Sequence, residues 1–183
     1  MKIRKSALPP ISILAKHHYN YADSFEGDLT AHPQNLSVTE VGKAFFSSGP
    51  KWIEKLFALR NSLVKRLGLK TPANATNKQA QLAQFNGEVG ERLGLFEVFY
   101  RDEKEMVLGE DDKHLNFRVS LLLSDSEKTS SQKCLTITTT VQFHNKWGKL
   151  YFLPVKPFHR LIVPTMLKNI INHLEKKHVE SHL

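Results

Sequence analysis

Two stretches late in the chain, Leu115 to Leu123 and Lys133 to His144, alternate apolar and polar residues, and this period of two limits what the chain can build. In the first, Leu115, Phe117, Val119, Leu121 and Leu123 share one face, opposite Asn116, Arg118 and Ser120. In the second, Leu135, Ile137, Val141 and Phe143 oppose Thr136, Thr138, Thr140 and Gln142. Successive side chains of a strand point to opposite faces, so both stretches read as half-buried antiparallel strands. A sheet with one apolar face needs a cover. The segment from about His159 to Lys177 supplies it, because Leu161, Ile162, Met166, Leu167, Ile170, Ile171 and Leu174 recur at helical spacing. Pro164 must fall in the first turn of that helix, which puts its start near Arg160 or Leu161.

Leu95 to Tyr100 and Glu105 to Leu108 read as further strands, and Glu110-Asp111-Asp112-Lys113 turns the chain into the strand at Leu115. After the turn Asn145-Lys146-Trp147-Gly148, whose glycine accommodates positive φ, Leu150 to Val155 is predicted to return antiparallel. Upstream, Tyr21, Phe25 and Leu29 alternate with polar residues as in an edge strand. Ser37 and Glu40 have the spacing of a capping box for a short helix through Phe46. Gly49-Pro50 then restarts the chain as a helix over Lys51 to Leu67, with Trp52, Ile53, Leu56, Phe57, Leu63, Val64 and Leu67 on one stripe. The polar stretch from Thr71 to Asn86 is a candidate cover over an opening, with a helical turn near Lys78 to Gln84. The expected fold is an α+β helix-grip: a curved antiparallel sheet of six or seven strands wrapped around a long C-terminal helix, with two short helices after the first strand. Residues 1–20, broken by Pro9-Pro10, form an N-terminal arm; 21–178 form the single domain and 179–183 a tail.

A chain of 183 residues buries enough surface for one full core. Its formal charge of +8 is scattered among acids rather than clustered, and no nucleic-acid-binding motif is present. Specific nucleic-acid recognition is therefore not expected, and general attraction to nucleic acid or a membrane surface stands as an alternative. Cys134 is the only cysteine, so no intramolecular disulfide forms and a reducing, cytoplasmic setting is expected. Met1 to Lys5 is positively charged like a signal peptide, but Pro9, Pro10 and Lys16 interrupt the apolar stretch that follows. No run of about 20 apolar residues exists to span a bilayer.

Four ordered motifs carry a resemblance. They are Leu56-Phe57-Ala58-Leu59-Arg60-Asn61, Val107-Leu108-Gly109-Glu110-Asp111-Asp112-Lys113-His114-Leu115-Asn116-Phe117-Arg118-Val119-Ser120, Thr139-Thr140-Val141-Gln142-Phe143-His144-Asn145 and Pro157-Phe158-His159-Arg160-Leu161-Ile162-Val163. Over about Tyr21 to Lys177 the chain resembles the bacterial family catalogued as domain of unknown function 2867. That family is similar to the helix-grip superfamily of START lipid-transfer proteins, birch-pollen allergens and polyketide cyclases, which implies a ligand cavity between sheet and helix. A similar segment also follows a nucleotide-binding dehydrogenase domain in some proteins. Here Gly87, Gly90 and Gly94 lack the strand-then-helix setting of a dinucleotide loop, so nicotinamide binding is not carried over.

The densest titratable cluster is Asp111, Asp112 and His114. Aspartates favour turns because their side chains bond nearby amides, and no third ligand stands at a recognised spacing, so neither a metal nor a cofactor is expected. Arg118, on the polar face of its strand, needs a carboxylate such as Asp112, Glu110 or Glu97, or a ligand anion if that face curls inward. Arg60 falls between Phe57 and Val64 on the apolar side of its helix, either snorkelling or meeting an anion. His144, His159 and Asp112 are the acid or base candidates, with Arg118 or Arg60 beside a developing anion. No Gly-x-Ser-x-Gly elbow is present, and Cys134 lies within a predicted strand, where a cysteine is normally core filler. The first expectation is binding of a small hydrophobic or amphipathic molecule by Trp52, Arg60, Phe117, Arg118, Phe143, His144, Phe158 and His159, with the Thr136, Thr138, Thr140 row as further hydroxyls. An enzyme of cyclase, hydrolase or isomerase type is the alternative.

Overall fold

The computed structural model describes residues 2–30, 36–50, 78–126 and 132–180. Along them run β1 (Ile3–Ser6), β2 (Tyr21–Leu29), α1 (Val38–Ser47), α2 (Lys78–Gln84), β3 (Arg92–Leu93), β4 (Phe96–Arg101), β5 (Glu105–Asp111), β6 (Leu115–Asp125), β7 (Lys133–Phe143) and α3 (Lys146–Glu180). The strands form one antiparallel sheet in the order β1-β2-β7-β6-β5-β4-β3. The alternating stretches are its two long central strands, with Leu121 opposite Ile137 and Leu123 opposite Leu135 on the apolar face. Phe25 continues that face onto β2, opposite Ile137. Over it α3 lays Val163, Leu167, Ile170, Ile171 and Leu174, while α1 adds Val38, Val41 and Phe45. Each fully buried aliphatic side chain contributes roughly 1.5–3 kcal/mol, so this interface holds the helix-grip together. An aromatic series continues it, with Phe46 against Phe85 at 5.4 Å and Phe96 against Phe117 at 5.7 Å between ring centroids.

The capping box forms as its spacing requires, with the Ser37 hydroxyl accepting from the Glu40 amide and the Glu40 carboxylate accepting from the Ser37 amide. The helical turn near Lys78 is α2. The helix expected over Lys51 to Leu67 lies outside the described residues, as do 71–77 of the polar stretch. Tyr21–Leu29 is a strand but not an edge, because β1 pairs with its free side from Ile3 opposite Gly27 to Ser6 opposite Ser24. The helices therefore follow the second strand rather than the first.

The largest departure is at Leu150 to Val155, which is helix and not strand. Asn145 Oδ1 accepts from the amides of Trp147 at 3.0 Å and Gly148 at 3.1 Å, and so caps α3 at its start. The same bonds define an asparagine turn, which is why the two look alike in sequence. Gly148 does not have a positive φ. It is needed for proximity, because a Cβ there would lie 2.1 Å from the His114 carbonyl oxygen. Pro154, Pro157 and Pro164 all lie inside α3, the first two at exposed positions, where the carbonyls left without an amide partner meet water.

The arm is partly sheet and partly strap. Between β1 and β2 the chain crosses the face away from α3 and is tied to Glu105, a residue only 2 % exposed. Ser12 Oγ donates to Glu105 Oε1 at 2.5 Å, the Ile13 amide to Oε2 at 2.9 Å, and Ser120 Oγ to Oε1 at 2.5 Å. The Thr136, Thr138, Thr140 row lies on this outer face and is buried, with Thr138 Oγ1 bonded to Ser24 Oγ at 2.8 Å. Cys134, on the same face, is a buried free thiol.

Candidate functional site

β2 presents Tyr21, Asp23 and Phe25 toward α3, since alternate residues of a strand share a face. A carboxylate in that row is costly unless its charge is compensated. Asp23 is compensated on one oxygen: Oδ2 accepts from the Tyr21 hydroxyl at 2.6 Å and lies 3.1 Å from His159 Nδ1. Burial alone would raise the Asp23 carboxyl, but the His159 bond and charge, the Tyr21 hydroxyl and Lys5 outweigh it and hold it below its ordinary value. An ionised carboxylate only accepts, so His159 carries a proton on Nδ1, and in the neutral ring Nε2 is the basic nitrogen. Burial and the bond to Asp23 push the Tyr21 hydroxyl up to about 12, with Arg160 opposing. Phe152 of α3 packs on Tyr21 with centroids 4.8 Å apart, and Lys156 Nζ stands 5.4 Å from the Tyr21 ring centre.

Asp23 Oδ1 is buried and has no hydrogen-bond partner among the described residues. Neither has the hydroxyl of Thr139, which is opposite Asp23 on β7. Above them opens a cleft of about 280 Å³ lined by Lys5, Tyr21, Ala22, Asp23, Phe25 and Arg160. Two cations thus flank a buried acceptor, and Phe25 supplies an apolar wall. A separate open groove between α1, α2 and α3 is lined by Lys43, Ser47, Gln79, Leu82, Ala83 and His173.

A family model described as a protein of unknown function, DUF2867, matches residues 15–166. The chain belongs to the DUF2867 family. No curated protein and no solved structure matches it. The DUF2867 match contains Tyr21, Asp23, His159 and Arg160, whereas Lys5 and the last turns of α3 lie beyond its ends.

In this DUF2867 chain the residues singled out from sequence are dispersed. His159 enters the Asp23 cluster. His144 is exposed at the end of β7, its amide donating to the His114 carbonyl at 2.9 Å. Five residues of strand separate it from Thr139, beside Asp23, or about 16 Å at 3.3 Å per residue. Asp112 sits in the β5–β6 turn, its Oδ1 accepting from the Lys113 amide at 2.6 Å. His114 Nδ1 lies 3.1 Å from Asn145 Nδ2. Arg118 is on the outer face, away from α3, and its carboxylate partner is Asp111 at 2.7 Å rather than Asp112, Glu110 or Glu97. Its guanidinium also covers the Phe99 ring at 3.5 Å, and Gly109 opposite leaves room for the side chain. Phe117 packs on Phe96, Phe143 packs on Phe152 with centroids 5.6 Å apart, and Phe158 is 49 % exposed. Trp52 and Arg60 lie outside the described residues.

The cleft residues missed in the sequence are Lys5, Tyr21, Asp23 and Arg160. The signal for Asp23 was present: it is an acid in the same alternating row as Tyr21, Phe25 and Leu29. No group of three or more His, Cys, Asp or Glu suited to a metal occurs among the described residues. Among them also, no helix is long and apolar enough to cross a membrane.

Proposed function

We propose that this protein binds a small amphipathic acid at the Tyr21 end of the grip. The acid group meets Lys5 and Arg160, a hydroxyl or amino group donates to Asp23 Oδ1, and the apolar body lies along Phe25 and Tyr21. The observation that carries this reading is the unpaired Asp23 oxygen, because a buried acceptor in a folded protein finds a donor. The middle of the helix-grip does not offer the same room. Leu135, Leu167, Ile170 and Ile171 have no exposed surface at all, so a ligand there would have to displace core. The resemblance to helix-grip carriers supports a ligand-binding role without specifying the ligand.

A panel of small hydroxy and amino acids with apolar bodies, screened by thermal shift, tests the proposal. At least one compound should raise the melting temperature of the wild-type protein and leave a Lys5→Ala/Arg160→Ala variant unmoved. No shift with any compound, or equal shifts in both proteins, would refute it.

The Asp23–His159 pair favours a second reading, acid–base catalysis on the bound molecule, with His159 Nε2 taking the proton. It requires that His159→Gln abolish turnover of a ligand that the variant still binds. Turnover undiminished by that change would eliminate His159 as the base.

A further inference from the structure

The outer side of the first half of α3 is apolar and is not covered by any of the described residues. Trp147, Leu150, Leu153, Phe158 and Leu161 are 62, 59, 67, 49 and 63 % exposed. With 3.6 residues per turn they fall on one side of the helix, together with Pro154 and Pro157 and opposite Phe152, His159 and Val163. An amphipathic surface helix has one apolar stripe, turned to the core. This one has a second, turned outward.

The charge beside that stripe has one sign. Between residues 146 and 174 the helix carries Lys146, Lys149, Lys156, Arg160 and Lys168 and no acid; Glu175 is the first. We propose that this face of α3 docks on an anionic lipid surface, with Trp147, Leu150, Leu153 and Leu161 entering the headgroup boundary and the lysines pairing with lipid phosphates. Helices with bulky apolar residues on one side and Lys or Arg beside them lie in the interface in this way. The prolines fit lying on the membrane rather than crossing it, because the carbonyls of Leu150 and Leu153 lose their helical partners and stay hydrated at headgroup depth.

Charge complementarity selects this occupant over two others. A second copy would bring the same cations, Lys146, Lys149 and Lys168, against one another. The apolar segment 51–67 of the same chain carries Lys51, Lys55, Arg60, Lys65 and Arg66 against Glu54 alone, and would be repelled similarly. The proposal is independent of the cleft, since none of the residues changed in its test lines it.

The test is flotation with vesicles of phosphatidylcholine alone and of equimolar phosphatidylcholine and phosphatidylglycerol. The full chain should float with the anionic vesicles, remain below with the neutral ones, and detach as salt is raised. Leu153→Ser/Leu161→Ser, at exposed positions, should lower the bound fraction at least about tenfold with an unchanged melting temperature. Lys146→Glu/Lys149→Glu leaves the apolar stripe intact and should abolish flotation independently, which covers the case in which the serine variant folds poorly. Failure of the wild-type protein to float with anionic vesicles, or flotation of both variants at its level, would overturn the proposal. So would a dimer in light scattering that the serine variant dissolves, because a second copy would then be the occupant.

Discussion

Asp23 shares the inward face of β2 with Tyr21, Phe25 and Leu29, and its ionised form is held by His159 and Tyr21 while one oxygen has no partner among the described residues. Its folded carboxyl is depressed, so its contribution to stability is present above the ordinary value of 3.8 and is lost as pH falls through the lower folded value. Asp23→Asn should cost about 1–3 kcal/mol in urea denaturation at neutral pH, and the gap from wild type should close below about pH 4. Tyr21 has the opposite sign. Its raised hydroxyl stabilises the fold below 10.0, and that contribution is lost as pH rises toward about 12, so Tyr21→Phe should remove this alkaline loss. Gly148 tests proximity rather than charge. Gly148→Ala places a Cβ against the His114 carbonyl oxygen and should destabilise the fold by about 1–3 kcal/mol, measured by the same denaturation.

Among elements, α3 departs most from what its residues indicate on first reading. Asn145→Ala removes the side chain that accepts from the Trp147 and Gly148 amides and should cost about 1 kcal/mol of stability. Pro154→Ala restores a helical amide at an exposed position and should raise the melting temperature, since proline in a helix interior is about 3 kcal/mol worse than alanine. Strands β2, β6 and β7 and the capping box were legible because period-two alternation and the Ser37–Glu40 spacing each have one physical solution. The first fourteen residues of α3 were not. Pro154, Pro157 and the apolar run Leu150 to Val155 mask the helical period there, although Phe152, His159, Val163, Leu167, Ile170 and Leu174 keep it. For the site, His159 was legible as a histidine near the terminal helix. Its partner Asp23 lies 136 residues away and is found only once β2 is placed under α3. Lys5 was hidden for a related reason: as part of an arm it had no face, and as part of β1, opposite Phe25, it points into the cleft.

Among the described residues, α3 and α1 pack on one face of the sheet and the N-terminal strap on the other. The strap is tied through the Glu105 carboxylate, and Glu105→Ala would leave the Ser12 and Ser120 hydroxyls and the Ile13 amide without their acceptor. At the Tyr21 end of the grip a cleft lined by Lys5, Arg160 and Asp23 is open to solvent. Amide chemical-shift mapping with the best compound from the hydroxy- and amino-acid panel tests this most directly. Perturbations concentrated at Tyr21, Asp23, His159 and Arg160 are the predicted result. Perturbations centred on Leu121, Leu135, Ile137 and Ile170, with those four unmoved, would contradict it.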